Sequence, residues 1–134
     1  MVPGDYSIRI IDRRRKIING PVYDLATAQQ LLKIHGLHVV NESADDDMIT
    51  EFRRGLTSED LKKIILTLGG NHYDDSEICS TSKGMTIDAD GYTIYWNRTR
   101  EIESMQAGQK TYIKFGFRDN NPKCLIVSIH PAKH

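Results

Sequence analysis

Tyr112-Ile-Lys-Phe-Gly-Phe117 and Cys124-Leu-Ile-Val-Ser-Ile129 decide the fold class. Both runs are rich in β-branched and aromatic residues, and Asp119-Asn-Asn-Pro122 between them supplies turn chemistry. Together they predict an antiparallel hairpin. Working back along the chain, 110–117 and 123–130 are preceded by strand-like segments near 92–97 and 84–88, joined by a tight turn at Asp88-Ala-Asp-Gly91. That turn has half the oxygens of a calcium loop but lacks the further ligands and the closing Glu, so no calcium site is expected.

Before Gly70 the hydrophobic period is helical. Thr57 reads as an N-cap with Asp60 at the third helical position, an imperfect capping box. Leu61, Ile64, Ile65 and Leu68 then form one apolar face, and Gly69-Gly70 stops the helix. Asp24 caps an earlier helix carrying Leu25, Ala28, Leu31, Leu32 and His35, ended by Gly36. Between them, Ser43 caps a helix with Asp45, Asp46 and Asp47 at its positive end and Arg53 and Arg54 at its negative end. Leu37–Val40 reads as a strand or a connector, and Tyr6–Ile11 as a weak strand. Helices followed by strands predict one α+β domain over residues 1–134, with N-terminal helices on one face of a twisted antiparallel sheet. Residues 1–20 read as a basic N-terminal extension, whose Arg13-Arg-Arg-Lys16 cluster is a solvated face or a nucleic-acid arm.

Composition narrows the function. Hydrophobic residues make up 39% and charged residues 27% of the 134, enough for a packed core without disulfide or metal. No run approaches the roughly 18 apolar residues of a membrane span. Met1-Val-Pro-Gly-Asp5 carries no signal-peptide pattern, and Cys79 and Cys124 read as reduced thiols, so a cytoplasmic location away from membranes is expected. Net charge is zero, which argues against a protein that coats nucleic acid generally. The charge is uneven, however: residues 98–134 hold seven basic and three acidic residues, so an anionic ligand is expected at the C-terminal strands.

Phosphate-binding loops, nucleophile elbows and zinc-protease signatures are absent, and His35 with His38 lacks a third ligand. No cofactor or metal is expected. What remains suits metal-free work on RNA, which carries its own nucleophile in the 2′-hydroxyl. Acid–base groups and fixed cations suffice for that reaction. Tyr112, Lys114 and His130 offer such groups, with His130 the best candidate because it ends a strongly apolar strand before Pro131.

Four stretches of the chain also resemble a known family. They are Tyr23-Asp-Leu-Ala-Thr-Ala-Gln-Gln-Leu-Leu32, Gly55-Leu-Thr-Ser-Glu-Asp-Leu-Lys-Lys63, Tyr92-Thr-Ile-Tyr-Trp-Asn-Arg98, and the pair Gly108-Gln-Lys-Thr-Tyr-Ile-Lys-Phe115 with Leu125-Ile-Val-Ser-Ile-His130. In this order they cover about half the chain and are similar to the MqsR toxins, small messenger-RNA endoribonucleases of bacterial toxin–antitoxin systems. The resemblance implies a RelE-like fold. It implies catalytic roles for Lys63, Tyr112 and His130, with His130 standing where the family has a lysine. Its middle-strand glutamine falls near Trp96 or Asn97. The mechanism then expected has Lys63, Lys114 and Arg98 on the phosphate, Trp96 or a tyrosine stacking on a base, and Lys133 close to the site. Single-stranded RNA and a cognate antitoxin or immunity protein are the implied partners. A competing reading is a non-catalytic binding partner that uses Asp45–Asp47 and Asp74–Glu77 against a basic protein.

Overall fold

In the computed structural model, residues 7–11, 13–40, 56–81 and 84–132 are described. The elements run β1 (Ile8–Ile11), β2 (Arg14–Ile17), α1 (Leu25–His35), β3 (Leu37–Val39), α2 (Ser58–Thr67) and β4 (Tyr73–Ser80). The rest are strands: β5 (Thr86–Asn97), β6 (Ile102–Glu103), β7 (Gln109–Arg118) and β8 (Asn121–Pro131). One sheet has the order β1-β2-β4-β5-β7-β8-β3, with β6 paired to the end of β5. The fold is α+β and the sheet is mostly antiparallel; β3 lies parallel to β8, with Leu37 opposite Cys124. None of the described helices is long and apolar enough to cross a membrane.

Both described helices begin where their caps dictate. The Asp24 carboxylate accepts from the Thr27 amide at 3.0 Å, and these contacts with Thr27 lower its pKa. In α2 the capping box is complete: the Thr57 amide donates to Asp60 at 2.8 Å, and the Asp60 amide to the Thr57 hydroxyl at 3.2 Å. Gly36 ends α1 at φ 80, a left-handed conformation that glycine adopts without penalty. Gln29 of α1 donates to the carbonyls of Ile65 and Leu68, 2.9 and 3.0 Å away, so one helix satisfies the open end of the other. Ala28 and Leu32 of α1 and Leu61, Ile64 and Ile65 of α2 pack against Tyr92, Ile94, Ile113, Phe115 and Ile126 of the sheet. A smaller cluster of Ile87, Ala89, Leu125 and Val127 sits apart from this core.

Three expectations need correction. The helices do not lead the chain, because the β1–β2 hairpin precedes them and enters the sheet beside β4. Arg14, Arg15 and Lys16 of the basic cluster lie in β2 and Arg13 in the turn before it, and the three arginines are exposed, as a solvated face requires. Asp88–Gly91 is the interior of β5 and not a turn. Asp90 is buried there because it accepts from the amides of Val22 and Tyr23 (2.8 and 2.9 Å) and from the Ser76 hydroxyl (2.5 Å). Asp74–Glu77, read as an acidic stretch for a basic partner, lies in the central strand β4, where Asp75 meets Lys16 of β2 and Glu77 meets Lys114 of β7. The helix expected at 43–55 lies outside the described residues.

Candidate functional site

Strand alternation divides β7 between two faces. Ile113, Phe115 and Phe117 turn to the helices, which leaves Tyr112 and Lys114 on the opposite face. Antiparallel pairing puts His130 opposite Tyr112 and Ser128 opposite Lys114. From the other side, Lys16 of β2 stands opposite Glu77 of β4. The result is a pocket of about 370 Å³ lined by Arg13, Arg14, Arg15, Tyr112, Lys114 and His130, with Glu77 at its floor.

A charge network fills that floor. Glu77 pairs with Lys114, and its carboxylate lies 3.8 Å from Lys16 and 4.0 Å from Arg14. Lys16 also pairs with Asp75. Burial raises the pKa of Asp75, but the bonds from Lys16 and Tyr112 and the charge of Lys114 outweigh it, so the net shift is downward. Three cations share two carboxylates, and Lys114 is the least solvated of the three, with 5% of its side chain exposed. Burial, reinforced by Lys16 and Arg14 and opposed by Asp75, draws its ammonium down to about 8. Arg13 adds positive charge at the rim without an ion pair among the described residues, whereas Arg15 alternates to the helix face with Ile17 and Ile78. Arg13 sits in the left-handed region, at φ 66, in the β1–β2 turn.

Tyr112 and His130 form an aromatic pair. Their ring centroids are 5.1 Å apart at 26°. The Tyr112 hydroxyl donates to Asp75 at 2.7 Å, and Lys114 Nζ lies 5.4 Å from the Tyr112 ring centroid. Gly91 makes this possible, since a Cβ there would fall on the Tyr112 hydroxyl and the Asp75 carboxylate. Burial raises the Tyr112 phenol far above its usual pKa, and Asp75 adds to the rise, so this hydroxyl stays protonated and holds its place. His130 Nδ1 lies 3.1 Å from the Pro131 carbonyl. A carbonyl only accepts, so Nδ1 carries the proton and Nε2 is left as the basic nitrogen.

No family model, curated protein or solved structure matches this chain. The site therefore rests on its geometry alone.

That geometry brings together three of the residues singled out in the sequence, Tyr112, Lys114 and His130, and separates the others from them. Lys63 on α2 pairs with Glu101 at 2.7 Å, and that bond raises its pKa. Arg98 stands 3.6 Å from Asp60, and the Asn97 side chain accepts from the Arg100 amide at 3.1 Å. These three belong to a polar seam between α2 and the end of β5. Trp96 is buried in the core, 4% exposed, and its indole nitrogen has no hydrogen-bond partner among the described residues. It is not placed to stack on a base. Lys133 lies outside the described residues. Sequence reasoning gave Glu77 and the nearby Asp75 and Gly91 no part in this site: the two acids were read only within the stretch Asp74–Glu77 of a surface for a basic partner, and Gly91 as part of a turn.

Among the described residues, no group of three or more His, Cys, Asp or Glu side chains is arranged to hold a metal ion. Cys79 lines the pocket, but burial pushes its thiol up to about 11, which leaves little thiolate at neutral pH.

Proposed function

We propose that the open face of the sheet is the site of a metal-independent endoribonuclease acting on single-stranded RNA. The observation that carries this reading is the convergence in one pocket of a basic histidine nitrogen, a buried lysine and Arg13, which has no ion pair among the described residues. In the reaction, His130 Nε2 takes the proton of the 2′-hydroxyl. The 2′-oxygen bonds to phosphorus, the bond from phosphorus to the 5′-oxygen breaks, and the Lys114 ammonium protonates the departing oxygen. Arg13 holds the phosphate and its developing charge. Tyr112 positions the imidazole by stacking, and its hydroxyl stays on Asp75. The products carry a 2′,3′-cyclic phosphate and a free 5′-hydroxyl.

The same proposal includes a RelE-like relationship, kinship with the MqsR toxins, a cytoplasmic setting and an antitoxin or immunity protein that covers the basic pocket. The rival reading, a non-catalytic acidic binding module, finds less support. Asp75 and Glu77 are spent on cations of their own chain, and Asp74 is bonded to Thr93. Asp45–Asp47 lie outside the described residues.

The test is cleavage of a long single-stranded RNA in EDTA, with the cut ends mapped. Wild-type protein should cut, His130→Ala should lose at least a hundredfold in rate, and Lys63→Ala should stay within a few-fold of wild type. Loss of cleavage in EDTA, or full activity of folded His130→Ala, would overturn the reading.

A further inference from the structure

The β1 strand is one edge of the sheet, and among the described residues no strand pairs with its outer side. The Ile18 amide donates to the Ser7 carbonyl at 2.7 Å, and the register continues Ile8 opposite Ile17, Arg9 opposite Lys16 and Ile10 opposite Arg15. Hydrogen-bonded and non-bonded pairs alternate in an antiparallel ladder. Ser7, Arg9 and Ile11 therefore point their backbone groups at β2. Ile8 and Ile10 point theirs outward, unpaired among the described residues.

The side chains at this edge are apolar and basic. Ile8 is 51% and Ile10 73% exposed. They share a face with Ile17, which belongs to the core, while Arg9 shares the opposite face with Lys16. Natural edges are usually blunted by charge, proline or a covering element. Here the single Arg9 interrupts isoleucines, and the hairpin from Ile8 to Ile17 holds five cations against Asp12 alone.

A second copy of the chain fits this edge poorly. Two-fold pairing through the open groups of Ile8 and Ile10 sets Ile8 against Ile10 of the other copy. Arg9 then faces its own equivalent in the close, non-bonded position, where like charges repel. An unlike strand with an acid opposite Arg9 and apolar residues opposite Ile8 and Ile10 satisfies every group.

We infer that β1 is a docking strand for an extended partner segment in which apolar and acidic residues alternate. The segment adds to the sheet edge by main-chain hydrogen bonds, and the alternation sets its register. This inference is independent of any activity in the pocket.

Fluorescence anisotropy with a labelled ten-residue peptide of alternating valine and glutamate tests it. A valine–lysine peptide is the control. The glutamate peptide should bind at least tenfold more tightly than the lysine peptide. Ile10→Pro removes an outward donor and no bond to β2, so it should weaken binding at least tenfold with circular dichroism and melting unchanged. Arg9→Glu keeps the backbone intact and should reverse the preference between the two peptides. Failure of the glutamate peptide to bind, equal binding of both peptides, or an unaltered preference in folded Arg9→Glu would overturn the inference. So would a wild-type dimer in sedimentation that Ile10→Pro dissociates.

Discussion

The hydroxyl of Tyr112 reaches Asp75 across the space that Gly91 leaves empty, at 2.7 Å, tying two strands that flank a third. Removing the hydroxyl in Tyr112→Phe keeps the ring over His130 and deletes a bond to a charged acceptor. Urea unfolding should show a loss of about 1.5 kcal/mol. Filling the space with Gly91→Ala should cost about 1–3 kcal/mol. The double variant should recover part of that cost, because the phenylalanine removes the atom the new methyl strikes. Strict additivity of the two changes would contradict this packing.

Acid stability should depend on Asp75. Its folded pKa lies below the ordinary 3.8, so its contribution is complete above 3.8 and is lost as pH falls through the folded value. Asp90 has the opposite sign: burial raises its pKa against the bonds from Ser76, Val22 and Tyr23, so its contribution improves as pH drops toward 3.8. Asp75→Asn should therefore unfold more easily than wild type at pH 7, with the gap narrowing below pH 3.8. Urea midpoints at neutral and acid pH read this directly, and a constant gap would speak against the assignment.

Asp90 should be the least replaceable carboxylate in the chain. Asp90→Ala strands the amides of Val22 and Tyr23 and the hydroxyl of Ser76 without an acceptor. A loss of about 3–5 kcal/mol is expected by analogy with breaking a buried charged pair. Asp90→Asn should lose less, since its amide oxygen still accepts.

RNA binding should respond to Lys114. The lysine is charged below about 8 and neutral above it, so affinity for a short oligoribonucleotide should fall as pH rises through that value. Lys114→Met should bind more weakly at pH 7 and lack the step. The linkage to folding has the reverse sense: the unfolded lysine keeps its proton up to its ordinary 10.5, so the burial penalty disappears between about 8 and 10.5.

Trp96 should report the core and not the ligand. Its indole nitrogen makes no hydrogen bond among the described residues, so Trp96→Phe removes only buried ring volume and should destabilise by about 1–3 kcal/mol through the lost packing and the cavity left behind. Its emission should be blue-shifted and unmoved by added oligonucleotide. Quenching by RNA would mean that the indole is accessible after all.

The caps and the apolar period made the helices legible, because Asp24, Thr57 and Asp60 act on amides within the next turn. The β7–β8 hairpin was legible for a similar reason: its turn and its β-branched runs are contiguous. Tyr73–Ser80 was not, because its acids are acceptable in a central strand only when Lys16 and Lys114 arrive from distant parts of the chain. Asp88–Gly91 misled for the same cause, since turn-forming residues were in fact recruited by Val22, Tyr23 and Tyr112. Half of the candidate site came from alternation along β7 and β8. Lys63, Arg98 and Trp96 failed to join it because position on a strand or helix does not reveal which neighbour will neutralise or bury a side chain.

The parallel pairing of β3 with β8 sets a timetable for the chain's birth. Leu37 leaves the ribosome long before Cys124, and among the described residues β8 is the strand against which β3 lies. Until that strand emerges, β3 waits without a lattice partner and α1 lacks part of its floor. Folding must then close a loop of most of the chain's length at a late step, which favours slow, all-at-once assembly after synthesis over growth from the N-terminal end.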